Sequence, residues 1–132
     1  MKQVLDSRFL VEYYYSQDTE IRQKAGRRMR ELTHNGNGLI PTIVVCELIQ
    51  LICSREGKEK MEMIYLSIMT RGMKIESLGP YGAKGAGFLK SMYKHVPIGD
   101  CIIAATAIKN QARIVSDDSH FDLIKETERT WL

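Results

Sequence analysis

At 132 residues the chain has room for one domain and not for two. Apolar residues make up 44% and charged residues 27%, a balance that excludes an intrinsically disordered chain. Lysine and arginine number 19 against 16 aspartates and glutamates, and the formal charge of +3 permits a nucleic-acid partner without demanding one.

A chain of this size buries roughly two-thirds of its unfolded surface, enough for a core without disulfides or a structural metal. Cys46 and Cys53 fall two turns apart on one predicted helix, about 10 Å at 1.5 Å per residue, too far for a bridge. There is no C-x-x-C pair, so the three cysteines are expected as reduced, packed thiols. The opening Met1-Lys2-Gln3-Val4-Leu5-Asp6 reads as the start of a folded domain rather than a signal segment. No apolar run approaches the ~20 residues that cross a bilayer, so a cytoplasmic protein is expected.

Taken in chain order, residues 3–5 form a brief apolar run ending at Asp6, suited to a short buried strand. A helix from Arg8 through Tyr15 follows, in which Tyr13, Tyr14 and Tyr15 are expected to pack against the core or a partner. Ser16-Gln17-Asp18 offers an N-cap for a second helix, roughly Thr19 to Thr33. Its Ile21, Ala25, Met29 and Leu32 share one face, and Lys24, Arg27 and Arg28 lie opposite. Gly36-Asn37-Gly38 marks a turn into a second strand at Leu39-Ile40, and Pro41 precedes a helix from Thr42 to Arg55. That helix is apolar on nearly every side and is expected to be buried.

Gly57 separates it from a helix over Lys58 to Thr70, stopped by Gly72. Met73-Lys74-Ile75 is a third candidate strand, and a helix from Tyr81 to Lys94 follows. The glycines between Gly79 and Gly87 are not a phosphate loop, since they lack the G-K-[ST] ending and a preceding strong strand. Asp100 opens an apolar helix, Cys101 to Asn110, and Ile114-Val115 is a strand running into Ser116-Asp117-Asp118. One further short element is expected after Phe121. Strands alternating with helices predict an α/β fold, with a short, mostly parallel sheet between two helical layers and residues 1–132 forming one domain.

Four acids stand out by position. Glu47 lies inside Ile43-Val44-Val45-Cys46-Glu47-Leu48-Ile49, and Asp100 directly precedes Cys101-Ile102-Ile103-Ala104-Ala105. A carboxylate in such company costs several kcal/mol unless paired, hydrogen-bonded or bound to a metal. Asp6 and Asp117-Asp118 each end an apolar strand, at the edge where sites of parallel sheets assemble. Each acid also has an ordinary structural use. Asp6, Ser7 or Asp100 can cap a helix, Asp117-Asp118 can form a turn, and Glu47 can pair with a base. If they converge, two carboxylates 4 Å apart repel by about 4 kcal/mol at an effective dielectric near 20, so the cluster needs a proton or a cation. Hard oxygen donors favour Mg²⁺ or Mn²⁺ over zinc.

The segments Val4-Leu5-Asp6-Ser7, Val45-Cys46-Glu47-Leu48, Ile98-Gly99-Asp100-Cys101-Ile102-Ile103-Ala104-Ala105-Thr106-Ala107 and Ile114-Val115-Ser116-Asp117-Asp118-Ser119-His120-Phe121 resemble the PIN domain. The resemblance is strongest to single-domain VapC-type toxin ribonucleases, and it runs through nearly the whole chain in order. The third segment is the most specific. The resemblance implies a PIN-like three-layer fold and metal-dependent hydrolysis of RNA. Asp6, Glu47 and Asp100 match the first three family acids, and Asp118, two residues after Ser116, matches the fourth. Asp117 falls on a variable position and is expected as a neighbour. Gly99 and Cys101 stand where alanines are common, and neither removes a chemical group.

On this reading Asp6, Asp100 and Asp118 are the expected ligands of Mg²⁺ or Mn²⁺, and Glu47 orients or deprotonates the attacking water. Ser7 and Ser116 hold the carboxylates, or serve simply as cap and turn residues. Lys24, Arg27 and Arg28 are the candidate contacts for RNA phosphates, against the alternative of a solvated helix face. His120 is expected as an exposed turn residue, and His34 and His95 as incidental. The family also implies a homodimer and a cognate antitoxin protein; a stand-alone nuclease of RNA maturation and a non-catalytic RNA- or protein-binding module are the alternatives. A receiver-type phosphoacceptor would want a lysine near the last strand, and Lys109 and Lys125 are poorly placed for it.

Overall fold

A computed structural model describes residues 1–132. The chain runs β1 (Gln3–Leu5), α1 (Ser7–Tyr15), α2 (Thr19–Asn35), β2 (Gly38–Pro41), α3 (Thr42–Glu56) and α4 (Lys58–Thr70). It continues with β3 (Lys74–Glu76), α5 (Pro80–Met92), α6 (Ile98–Asn110) and β4 (Arg113–Val115), then a 3-10 turn (Ser119–Leu123) and β5 (Arg129–Thr130). All five strands are parallel, in the order β3-β2-β1-β4-β5.

Side chains of a strand alternate between faces, so burial of consecutive residues means that both faces are covered. Val4 and Leu5 on β1, Leu39 and Ile40 on β2, and Ile114 and Val115 on β4 are all buried. This is the sandwich expected from the alternating pattern, with a sheet that is wholly rather than mostly parallel. Twenty-six buried apolar residues form one cluster, including Phe9, Leu10, Leu48, Ile52, Ile103 and Phe121. Each large side chain so buried stabilises by roughly 1.5–3 kcal/mol. Gly38 permits the tightest approach: a Cβ there would stand 2.1 Å from Met73 Sδ and 3.2 Å from Leu32 Cβ.

The strand order carries the functional consequence. The chain steps from β1 outward to β2 and β3, then returns to the other side of β1 to form β4 and β5. The direction reverses between β1 and β4, and a crevice opens beyond the carboxyl ends of those two strands. Asp6 directly follows β1, and Ser116 directly follows β4.

Several expectations are corrected. Helix α3 is buried only along Val44, Leu48 and Ile52, because its other flank borders an open groove beside α1. Cys46 and Cys53, on the side of α3 away from its buried stripe, are exposed, and Cys101 alone is packed inside. Helix α6 begins at Ile98, with Pro97 at its N-cap, so Asp100 sits within the first turn and does not cap it. The strand placed at residues 73–75 lies one residue later. The tyrosines do pack α1 against the core, with Tyr14 Oη 3.0 Å from Ser67 Oγ.

Candidate active site

Asp6 is 3% exposed, and both its oxygens are engaged. Oδ1 accepts from the Ser7 backbone N–H at 2.8 Å and caps α1, with the Ser7 hydroxyl at 3.4 Å. Oδ2 accepts from the Ser116 hydroxyl at 2.7 Å. The same Ser116 oxygen accepts from the Asp118 backbone N–H at 3.0 Å, so one buried hydroxyl ties the ends of β1 and β4 together. Arg129 Nη1 donates to the Ser116 carbonyl at 3.1 Å and steadies the segment from β5. The capping use and the acid-holding use of these residues are thus one arrangement.

Burial drives the Asp6 carboxyl above its ordinary range, assisted by the Asp118 charge and opposed by the Ser116 and Ser7 hydrogen bonds. Asp100, in the first turn of α6, is raised from 3.8 to about 6, first by burial, then by the charges of Asp118 and Asp6, with His120 opposing. Glu47, on α3, is raised by burial and by the charges of Asp6 and Asp100, against the effect of Ser7. Its Oε1 is shielded from water and has no hydrogen-bond partner. A Cβ on Gly99 would stand 3.5 Å from Glu47 Oε2, so the start of α6 lies against this side chain. Glu47 forms no salt bridge, the alternative use considered for it, and its Oε1 stays unpaired.

The four acids from β1, α3, α6 and the β4 exit therefore share one electrostatic site. Asp100, Asp118 and His120 come closest as a ligand group, each offering one donor atom within 4.8 Å of the others. His120 Nδ1 lies 3.1 Å from Asp118 Oδ1 and 3.5 Å from Asp100 Oδ2. His120 is thus the exposed turn residue expected, and its ring also adjoins two of the acids. Asp118 caps the 3-10 turn by accepting from the His120 N–H at 2.9 Å, and Phe121 is buried just behind. The visible signal was a histidine two residues beyond an acid, at the start of a turn pinned by an aromatic.

Other expectations shift. Asp117 pairs with Arg8, so it forms part of the rim rather than bracing the acids. Arg28 is not free for RNA: it donates to Gln3 Oε1 at 3.1 Å and to the Trp131 carbonyl at 3.0 Å. Gln3 stands at the start of β1, and Trp131 follows β5. Lys24 and Arg27 stay exposed, Lys24 in an ion pair with Glu20 at 3.0 Å. A groove of about 340 Å³, lined by Ser7, Arg8, Val11, Glu47, Leu51 and Asp117 among others, leads to the acids between α1 and α3. A larger cavity of about 500 Å³ between α5 and α6 has none of the acids in its wall.

The sequence profile of the PIN domain matches residues 4–126. The chain belongs to the PIN domain family. Among curated proteins no relative matches. Among solved structures, this PIN domain is similar to VapBC2 from Rickettsia felis bound to a promoter DNA fragment, with TM-score 0.82 and 18% identity over 99% of this chain and 98% of the other. DNA-bound VapBC from Salmonella typhimurium gives TM-score 0.81 and 18% identity over the same shares. VapC20 from Mycobacterium tuberculosis, described as a sarcin-ricin loop cleaving toxin, gives 0.72 and 14% over 94% and 95%. At such identities the likeness concerns the fold.

Proposed function

We propose that this PIN domain is a Mg²⁺- or Mn²⁺-dependent endoribonuclease, the toxin half of a toxin–antitoxin pair. The observation that carries the reading is Glu47. A shielded, unpartnered carboxyl oxygen beside three further acids is tolerable as a working group and wasteful as a structural one. Its neighbours supply donors of the hard type that divalent cations prefer.

Asp6, Asp100 and Asp118 would hold the cation. When bound, it neutralises charge on a phosphodiester and makes water a stronger acid. Glu47, its proton affinity lifted by burial and by Asp6 and Asp100, suits the role of proton acceptor from the attacking water. Ser116 and Ser7 fix the Asp6 carboxylate by hydrogen bonds, and Arg8, held at the rim by Asp117, is a cation poised for a substrate phosphate. Lys24 and Arg27, exposed on α2, are the further candidate contacts for RNA phosphates. The groove between α1 and α3, lined by polar and apolar side chains, is the proposed path of an RNA strand to the acids.

The toxin assignment rests on the fold neighbours, which are VapBC complexes and a VapC toxin. A cognate antitoxin would cover the acidic crevice in the cytoplasm. A homodimer would cover the exposed Tyr81 and Phe88 of α5. The test is cleavage of single-stranded RNA with Mg²⁺ or Mn²⁺ by wild type and Asp100→Asn. Loss of cleavage in the variant is expected. Equal cleavage by both proteins refutes the assigned site.

A further inference from the structure

We propose that His120 is itself a metal ligand and gives the site a preference for Mn²⁺ over Mg²⁺. The proposal rests on the metal-nuclease reading of the acidic crevice and adds a nitrogen donor to it.

Three observations support it. The first is distance. Neighbouring donors around an ion with bonds of ~2.1 Å lie about 3.0 Å apart in an octahedral shell and about 3.4 Å apart in a tetrahedral one. His120 Nδ1 lies 3.1 Å from Asp118 Oδ1, within that spacing, and 3.5 Å from Asp100 Oδ2, just beyond it. The second is fixation. The His120 N–H donates to Asp118 at 2.9 Å and the adjacent Phe121 is buried, so the backbone carrying the ring is anchored on both sides. The third is access. The His120 side chain is 46% exposed, whereas those of Asp100 and Asp118 are 14% and 24% exposed. The ring thus closes the cluster on its water-facing side, where an arriving ion would meet it.

The selectivity follows from donor chemistry. Mg²⁺ takes oxygen donors almost exclusively and gives up water reluctantly. Imidazole nitrogen binds first-row transition ions more readily, and Mn²⁺ is the one among them that also accepts a mostly carboxylate shell. A purely acidic crevice would leave Mg²⁺ and Mn²⁺ closely matched; an imidazole donor tilts it toward Mn²⁺. The bland alternative is that Nδ1–H merely donates to Asp118. Asparagine places an amide at nearly the same position and can repeat that donation, so it separates the two cases.

The experiment uses the full chain, Mn²⁺ and Mg²⁺ as probes, and His120→Asn with His120→Ala as a second variant. Pulsed electron paramagnetic resonance on bound Mn²⁺ is expected to show nitrogen coupling in wild type and none in either variant. Titration is expected to show Mn²⁺ affinity falling at least about tenfold in His120→Asn, since even outer-sphere partners of metal ligands are worth about 10–100-fold. Mg²⁺ affinity should change less than about threefold. Mn²⁺ bound without nitrogen coupling, or coupling that persists in both variants, overturns the proposal and leaves the ribonuclease reading intact. Nitrogen-ligated Mn²⁺ with no RNA cleavage does the reverse. Failure to bind either ion overturns both.

Discussion

In metal-free protein, Asp100→Asn should stabilise the fold while abolishing the activity. The Asp100 carboxyl is raised from 3.8 to about 6 by burial and by the charges of Asp118 and Asp6, net of the attraction of His120. That rise disfavours the charged form by about 3 kcal/mol. Water on the open side of the cluster screens part of it, leaving about 2 kcal/mol. Because the folded value lies above the unfolded one, the wild type has its full stability below pH 3.8 and loses this share as the pH climbs through about 6. Asparagine keeps an acceptor oxygen in place and carries no charge to repel.

Urea unfolding in EDTA should therefore give near-equal stabilities close to pH 4 and a variant advantage of about 2 kcal/mol above pH 6.5, or roughly 6–10 °C in Tm. Saturating Mn²⁺ should reverse the order, since a ligand at a hundred times its Kd stabilises the wild type by about 2.7 kcal/mol and the variant binds it poorly. A variant no more stable than wild type at pH 7.5 in EDTA would refute the reasoning. So would an advantage of the same size at pH 4.

Ser116→Ala removes a fully buried hydroxyl that donates to Asp6 and accepts from the Asp118 N–H. Denaturant unfolding should register a loss of about 1.5–3 kcal/mol, and RNA cleavage should fall because Asp6 is no longer held; an unchanged unfolding midpoint would contradict the bridge. Arg28→Ala should cost about 1–2 kcal/mol through the lost contacts to Gln3 and the Trp131 carbonyl, yet leave RNA affinity as it was. A fall in affinity measured by fluorescence anisotropy, in a variant whose stability is unchanged, would restore Arg28 to the RNA-binding face.

The periodicity of the sequence was enough to place the central strands and the helices in order, because β1, β2 and β4 are short, buried on both faces and followed at once by a polar residue. The four acids were legible for the same reason: an ionisable group amid Val, Ile and Cys is conspicuous. What linear patterns hide is reach. Arg28 lies on the polar face of α2, yet its long side chain bends back to Gln3 and the C-terminal segment, a contact across more than a hundred residues. Asp117 and Asp118 are adjacent and chemically alike, but the turn aims one at Arg8 and the other at the acids. His120 became visible only once the 3-10 turn folded its ring over Asp100. Helix α3 misled in another way. Its apolar residues surround the whole cylinder, and sequence does not say that one flank would face a groove rather than a neighbour.

The arrangement also explains why the site needs such a topology. Asp6 and Asp118 are separated by more than a hundred residues, yet the parallel pairing of β1 with β4, in register from Gln3 with Arg113 to Leu5 with Val115, fixes their exits side by side. Glu47 and Asp100 arrive from helices that pack on one another as well as on the sheet. No local turn could bring four acids together against their repulsion, which at 4 Å and a dielectric near 20 is about 4 kcal/mol per pair. Only elements already anchored by a shared core can impose it. The core beneath, from Val4 and Leu5 to Ile103 and Val115, is thus what keeps the crevice charged and ready for a cation. Loosening that core should relax the acids apart before it unfolds the domain.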